Sequence, residues 1–298
     1  MVRPEYVIFE VLMYILFAAC LWHASRQGIM RVVELFFGLI YGVFLEWMTL
    51  HQLHAYVYGQ FLVMFDGAPL AIGLGWAVII YSGMEFTRRI QMPELARPLL
   101  DGLLALNIDL AMDTIAIRLH MWTWNGVTLD QQWFGVPWGN FWAWFIVVSS
   151  FSAFLRLFRI RGWHKEGLRR WLYVPLAFML SSIVLYSTNR FFADILVPAG
   201  LDFAGLAIVV GGALLVVVLL RPTVKEAGGP DPVVFAVPFV FHVYFMAAGL
   251  LFGFYVQMPI LAVIGVGMFL IGMVIHLWPR WARSRAPATA RSRARQTG

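Results

Sequence analysis

The hydrophobic pattern divides the chain into nine apolar runs of about 20 residues, the length that an α-helix needs to cross a bilayer. Polar segments, many containing glycine or proline, separate these runs. The predicted membrane helices are roughly 6–24, 31–51, 69–87, 98–119, 138–157, 171–189, 201–220, 233–253 and 257–277. Eight helices remain an alternative, because the division around 190–205 is ambiguous. We therefore predict an all-α, polytopic integral membrane bundle of about nine transmembrane helices.

Composition also supports an integral membrane protein. The 298 residues are 61% hydrophobic and 13% charged, with a mean hydropathy of +0.77, which excludes an ordinary soluble domain. The 13 tryptophans suit an interfacial belt. Cys20 is the single cysteine, so no intramolecular disulfide can form. The first apolar run contains Glu10 and has no clear cleavage site, and we expect it to be a retained helix.

Positive charge is distributed very unevenly between the predicted loops. All but Arg3, Arg118 and Arg190 of the 22 Lys and Arg residues lie after odd-numbered helices or in the C-terminal tail. The positive-inside rule then predicts a multi-pass protein of the cell membrane with an outer N-terminus and a cytoplasmic C-terminus. We expect 1–279 to form the transmembrane domain. The basic tail 280–298 is predicted to be disordered and to lie near anionic lipids, with no nucleic-acid partner.

Two stretches of the chain repeat one motif. In each, a carboxylate in an apolar helix comes nine or ten residues before an aromatic-x-aromatic pair, a Gly-x-Pro turn follows, and a Trp comes seven residues after the proline. This is a degenerate parallel repeat with copies at about 31–87 and 98–157. The motif residues are Glu46, Tyr56, Tyr58, Gly67, Pro69 and Trp76 in the first copy and Asp113, Trp122, Trp124, Gly135, Pro137 and Trp144 in the second.

The buried acids are the strongest functional signal. Glu46 and Asp113 are expected at matching depth, roughly 7–9 Å inside their helix ends at about 1.5 Å per residue. Asp109 lies one turn deeper on the face of Asp113. A lone intramembrane acid can simply be hydrogen-bonded in the core. Three acids at related depths favour a functional site, since a charge within a membrane is costly.

The surroundings of these acids indicate acid chemistry on an apolar substrate. A low dielectric favours the neutral form of a carboxylic acid, which makes it a proton donor, while a better solvated acid can accept a proton. Trp and Tyr faces attract cations. This combination suits protonation of an alkene to a carbocation. Asn140 could donate a hydrogen bond into the site or serve only at a helix start.

Several other polar residues receive structural interpretations. His51, His54 and His120 lie on the outer side, but the seven histidines are scattered, and we predict no metal site. Arg190 and Asp194 are spaced as a helical ion pair. Glu10 is unassigned and could face the cavity. The expected cytoplasmic pairs bring Glu34, Glu85 and Asp101 to Arg31, Arg88 and Arg97.

The region from about 34 to 160 resembles a family of membrane proteins of carotenoid biosynthesis, whose characterised members are carotenoid 1′,2′-hydratases of the bisanhydrobacterioruberin and γ-carotene type. Thr114 stands where the family pattern often has proline. The layout is also similar to that of integral-membrane lycopene cyclases, but their paired glutamates after the Gly-x-Pro turn are replaced by Ala71-Ile72 and Gly139-Asn140. The signature residues are Asp109, Asp113, Trp122, Trp124, Gly126, Phe134, Gly135, Val136, Pro137, Trp138, Asn140 and Trp144.

The resemblance implies a redox-neutral carotenoid hydratase that works without a cofactor, with a carotenoid and membrane lipids as its partners. Asp113 would donate the proton, and Asp109 or Glu46 would act as base or position the water. A carotenoid cyclase, a transporter using the acids as a proton relay, and a structural subunit remain alternatives. The residues expected to bind substrate are Tyr56, Tyr58, Trp122, Trp124, Trp138, Asn140 and Trp144.

Overall fold

The computed structural model describes residues 2–165, 167–225 and 231–284, and within them nine long helices follow the predicted apolar runs. This confirms an all-α, multi-pass membrane fold. The long helices are α1 (Pro4–Ser25), α2 (Ile29–Met48), α3 (Leu70–Arg88), α4 (Arg97–Ala116), α5 (Trp138–Ile160), α6 (Arg169–Phe191), α7 (Asp202–Leu219), α8 (Pro232–Leu251) and α10 (Pro259–Ser284), with the one-turn helix α9 (Phe254–Gln257) between the last two.

Seven of the long helices are long and apolar enough to cross a membrane. The two that fall short, α2 and α4, contain the acids of the repeat. Most of α4 is nonetheless buried among other helices, so its polar residues meet protein and not lipid. A π-helical turn, Phe192–Leu196, extends α6 before α7 begins at Asp202, which resolves the ambiguous region.

Six short strands connect loops at the two ends of the bundle. The antiparallel pairs are β1–β5, β2–β3 and β4–β6. Their bounds are β1 (Tyr56–Tyr58), β2 (Met64–Phe65), β3 (Ala68–Pro69), β4 (Ile90–Gln91), β5 (Trp122–Trp124) and β6 (Thr223–Val224). We call the end that contains β1 and β5 the site end, formed by segments 52–68 and 120–137.

Each repeat copy folds as an antiparallel helix pair, α2 with α3 and α4 with α5. Glycines allow close packing within both pairs. A Cβ added at Gly42 would lie 2.7 Å from the Trp76 Cβ and 2.9 Å from the Gly73 carbonyl oxygen. One added at Gly102 would lie 2.8 Å from the Phe145 ring. Helix α3 is buried along almost its whole length, at the centre of the bundle.

The predicted basic loops meet at the other end, which we call the basic end (26–28, 89–96, 161–165, 167–168 and 221–225). Arg31 pairs with Glu85 at 3.0 Å, joining α2 to α3, and β4 pairs with β6. The charges therefore separate in space as they do along the sequence. Which compartment each end faces stays a prediction. The tail beyond Ser284 lies outside the described residues.

Two of the three expected ion pairs at this end form. Glu34 pairs with Arg31 at 2.9 Å, and Glu85 pairs with Arg88 at 3.1 Å. The expected pairing of Asp101 with Arg97 is wrong, because Arg97 pairs with Glu94 in the preceding turn. Asp101 instead faces the interior. There its carboxylate binds Arg156 of α5 at 3.0 Å and accepts hydrogen bonds from the Thr87 and Ser152 hydroxyls.

Two predictions about polar residues near the site end have different outcomes. Arg190 and Asp194 form the expected ion pair at 2.8 Å. Glu10 does not line the large cavity at the site end, which is described below. Its carboxylate is fully buried and accepts hydrogen bonds from the backbone N–H groups of Leu62 and Val63, at 2.6 and 3.2 Å. Glu10 therefore anchors the loop of the first repeat copy to α1.

Candidate functional site

The two copies of the repeat meet through strands β1 and β5. Tyr56 pairs with Trp124, and Tyr58 pairs with Trp122. In the sequence repeat, however, Tyr56 corresponds to Trp122 and Tyr58 to Trp124. Tyr56 thus pairs with the residue equivalent to Tyr58, and Tyr58 pairs with the residue equivalent to Tyr56. A local two-fold axis between the two copies produces this arrangement. The acids of the two copies are therefore brought to a shared centre.

Glu46 is surrounded by donors from its own copy of the repeat. Its Oε1 accepts a hydrogen bond from Trp76 Nε1 at 2.7 Å. Its Oε2 accepts from the Tyr58 hydroxyl at 2.7 Å and also from the Tyr56 hydroxyl. The residue is only 4% exposed. Three donors on one buried carboxylate, with no paired cation among the described residues, fix its position within an apolar bundle.

Burial and the Glu46 carboxylate together raise the pKa of both Tyr56 and Tyr58 well above the ordinary value for a tyrosine. These two loop phenols therefore stay protonated at neutral pH, as their role as hydrogen-bond donors requires.

Asp113 is held differently. Trp122 Nε1 donates to its Oδ1, and Asn140 Nδ2 donates to its Oδ2 at 2.7 Å. The same Asn140 nitrogen lies 2.8 Å from Asp109 Oδ2. Asp109 Oδ1 is buried, and no partner for it exists among the described residues. Asn140 therefore bridges two aspartates one helical turn apart, both at most 1% exposed.

Aromatic rings connect the two acid clusters. The rings of Trp76 and Trp144, equivalent residues of the repeat, have centroids 4.2 Å apart. Tyr56 meets Trp124 edge to face at 4.7 Å, and Tyr58 meets Trp122 at 5.9 Å. Glu46 and Asp113 are thus separated by aromatic surface, with no Lys or Arg paired to either within the part of the chain that the structure describes.

One cavity of about 630 Å³ joins these groups. Glu46 and Asp113 both line it, and apolar residues including Phe9, Ile79 and Phe241 form its interior. Exposed polar side chains form its rim at the site end. These rim residues are Gln52, Asn125, Gln132 and Arg190. Water can therefore approach acids that otherwise lie in an apolar, aromatic pocket.

Most of the predicted site residues line this cavity, but two do not. Asp109 lies behind Asp113 and reaches the cavity wall only through Asn140. Trp138 packs against Phe203 of α7, with ring centroids 4.9 Å apart. The predicted residues that do line the cavity are Glu46, Asp113, Tyr56, Tyr58, Trp122, Trp124, Asn140 and Trp144.

Sequence reasoning missed several polar residues of the cavity, including Trp76 and Asn189. Trp76 donates to Glu46, and its equivalence to Trp144 in the repeat was the signal that could have identified it. Asn189 also lines the cavity, and its buried Oδ1 has no partner among the described residues. Nothing in the repeat marks Asn189, because it belongs to α6, outside both copies.

A family model described as carotenoid biosynthesis protein matches residues 6–212, about two thirds of the chain and both copies of the repeat. No curated protein and no solved structure matches the chain. The match covers every acid of the site described above and all of its aromatic residues except Phe241. The chain therefore belongs to the carotenoid biosynthesis protein family.

Proposed function

We propose that the protein is a carotenoid hydratase that adds water across the terminal 1,2 (1′,2′) double bond of an acyclic carotenoid end. Family membership implies a carotenoid substrate in a membrane lipid environment. The observation that carries the proposal is the cavity itself, in which two differently held acids face one aromatic, largely apolar space. Hydration of an alkene needs an acid, a shielded cation site and water, and no electron transfer.

Asp113 is the proposed proton donor. Two neighbouring buried carboxylates with no countercharge repel each other strongly, so the pair formed with Asp109 is expected to hold a proton. Asn140 fixes both aspartates through one nitrogen, and Asp113 is the member of the pair that lines the cavity. Transfer of its proton to C2 of the substrate leaves a tertiary cation at C1.

Aromatic faces stabilise that cation. Trp76 and Trp144 lie together on the cavity wall, and Tyr58 and Trp122 contact each other between the two acid clusters. Their π-faces attract positive charge in a site with little competing water. Glu46 would add an electrostatic contribution in its ionised form, which its three hydrogen-bond donors can accommodate.

Water completes the reaction. It enters from the polar rim, forms the C1–O bond, and releases a proton to Glu46 or to the aspartate pair. Return of this proton to Asp113 closes the cycle, so the overall change is one water per end group. The paired glutamates of the cyclase-type sites are absent here, which favours capture by water over capture by the substrate's own next alkene.

The test is expression in a host that accumulates lycopene, followed by mass and absorption spectra of the extracted pigment. We expect a gain of one water per reacted end with the conjugated chromophore unchanged. An unchanged mass with a blue-shifted spectrum would identify a cyclase. Unchanged lycopene, repeated with a second acyclic carotenoid, would overturn the enzymatic proposal and favour a transport or structural role.

A further inference from the structure

A second cavity of about 600 Å³ forms a groove between α2 and α6. Phe44 and Met48 of α2 line one side. Ser182, Ile183 and Tyr186 of α6 line the other. The groove is mostly apolar and lies in the half of the bundle nearest the site end.

This groove adjoins the main cavity. Gln52, Leu53 and Arg190 line both spaces, so the two meet at the ends of α2 and α6. The groove therefore approaches the cavity from the side of α2 and α6, where Gln52 and Arg190 also belong to the polar rim.

The groove opens on the outer surface of the bundle. Ile183 is 58% exposed and Tyr186 is 46% exposed, although both belong to a helix long and apolar enough to span the membrane. Apolar side chains exposed on a membrane span meet lipid tails. The groove thus lies between the lipid-facing surface of α6 and the cavity that contains the acids.

Both helices that border the groove end in a π-helical turn. Thr49–Leu53 follows α2, and Phe192–Leu196 follows α6. Such turns are rare and are often found at functional sites, since they widen the helix and redirect its side chains. Here the turn after α2 places Gln52 and Leu53 where the groove meets the cavity, and the turn after α6 places Phe192 in the lining of the cavity.

We propose that the α2–α6 groove is the lateral entrance for the substrate and holds its polyene chain while the end group lies beside Asp113. This inference rests on the proposed function for the identity of the substrate. A conjugated polyene is stiff and extended, so a cavity that encloses its end group leaves the remaining chain outside. The groove offers that chain an apolar binding surface next to the site.

Matched tryptophan substitutions on α6 test the entrance. Ser182→Trp fills the groove, whereas Met179→Trp lies one turn away on the same helix, at a 55% exposed position outside the lining. Each variant is produced in lycopene-accumulating cells, and both the lycopene that copurifies with the protein and the hydroxylated product are measured. We expect Ser182→Trp to reduce both by at least tenfold and Met179→Trp to leave both at wild-type levels.

The two readouts separate the groove from the chemistry. Wild-type binding and product in a folded Ser182→Trp variant would overturn the entrance. A tenfold loss of bound lycopene without hydroxylated product from any variant would support the groove and overturn the hydratase. Wild-type protein free of pigment and product would overturn both. If Ser182→Trp does not yield monodisperse protein, Ile183→Trp replaces it, since this exposed position tolerates a larger side chain.

Discussion

Asn140 places a single amide nitrogen between two carboxyl groups, and this bridge holds Asp109 and Asp113 together as a pair. Asp109 and Asp113 both lie within 2.8 Å of it. A carboxylate pair in a membrane interior is costly unless a proton or a donor compensates the charge. Asn140 supplies the donor, and in the proposed mechanism a shared proton compensates the remaining charge. The pair would then store the proton that is transferred to the alkene substrate.

Asp113→Asn is expected to lower the turnover rate by about 10²–10⁴-fold, the usual contribution of a general acid. The change keeps the shape of the side chain and its acceptor oxygen but removes the transferable proton. Rates of carotenoid hydration are measured in membranes of matched protein content. Asp130→Asn serves as the control, since this exposed acid lies at the same end outside the cavity lining. A folded Asp113→Asn protein with full activity would show that another group donates the proton.

Side-chain direction limited what the sequence could predict at this scale. The repeat identified Glu46, Asp113 and their aromatic neighbours, because motif spacing survives in sequence. Trp138 and Asn140 were both expected in the site, but two residues along a helix turn about 200°, and only Asn140 faces the cavity. The partner of Asp101 is likewise set by how α4 packs on α5, which the linear sequence does not contain.

At the scale of elements, the glycines inside the two helix pairs set the position of the acids. Gly42 lies one turn before Glu46 and faces the backbone of α3 at Gly73. The close approach of α2 and α3 brings Trp76 within hydrogen-bond distance of Glu46. The position of Glu46 relative to Trp76 therefore depends on how closely α2 packs against α3.

Gly42→Leu should destabilise the protein by about 1–3 kcal/mol, as expected for overpacking, and should also reduce activity because it displaces α2 and Glu46. Stability is measured by denaturant titration in detergent micelles. Gly211→Leu is the matched control, since a Cβ at this position of α7 meets nothing within 4 Å. Equal stability of the two variants would contradict the tight α2–α3 contact.

Helix positions were predictable because the bilayer imposes one length on every apolar run. The predicted run 69–87 corresponds to α3 (Leu70–Arg88), and 138–157 corresponds to α5 (Trp138–Ile160). The β1–β5 pairing was not predicted. It depends on how the two repeat copies meet in space, and a three-residue strand has too weak a pattern to detect alone.

On the scale of the whole molecule, the two ends of the bundle differ in charge and in chemistry. Guanidinium groups and their partner carboxylates gather at the basic end, while aromatic residues and the acid-lined cavity occupy the site end. We propose that the basic end faces the cytoplasm, because positively charged loops are retained there during insertion.

Cysteine labelling with a membrane-impermeant maleimide checks this orientation. Gln132→Cys lies at the site end and should react in intact cells, whereas Arg161→Cys at the basic end should react only after permeabilisation. The wild type provides the background, since Cys20 is fully buried and should remain unlabelled. The reverse labelling pattern would place the site on the cytoplasmic side.

Helix α4 would enter a bilayer poorly on its own. Asp101, Asp109 and Asp113 lie on it, and an aspartate near the centre of an isolated membrane helix costs about 2.5–3.5 kcal/mol for insertion by the translocon. Several of the partners of these aspartates come from α5, which is synthesised later and supplies Asn140, Ser152 and Arg156. Biogenesis should therefore depend on α4 and α5 integrating together, which ties assembly of the candidate site to the order of synthesis.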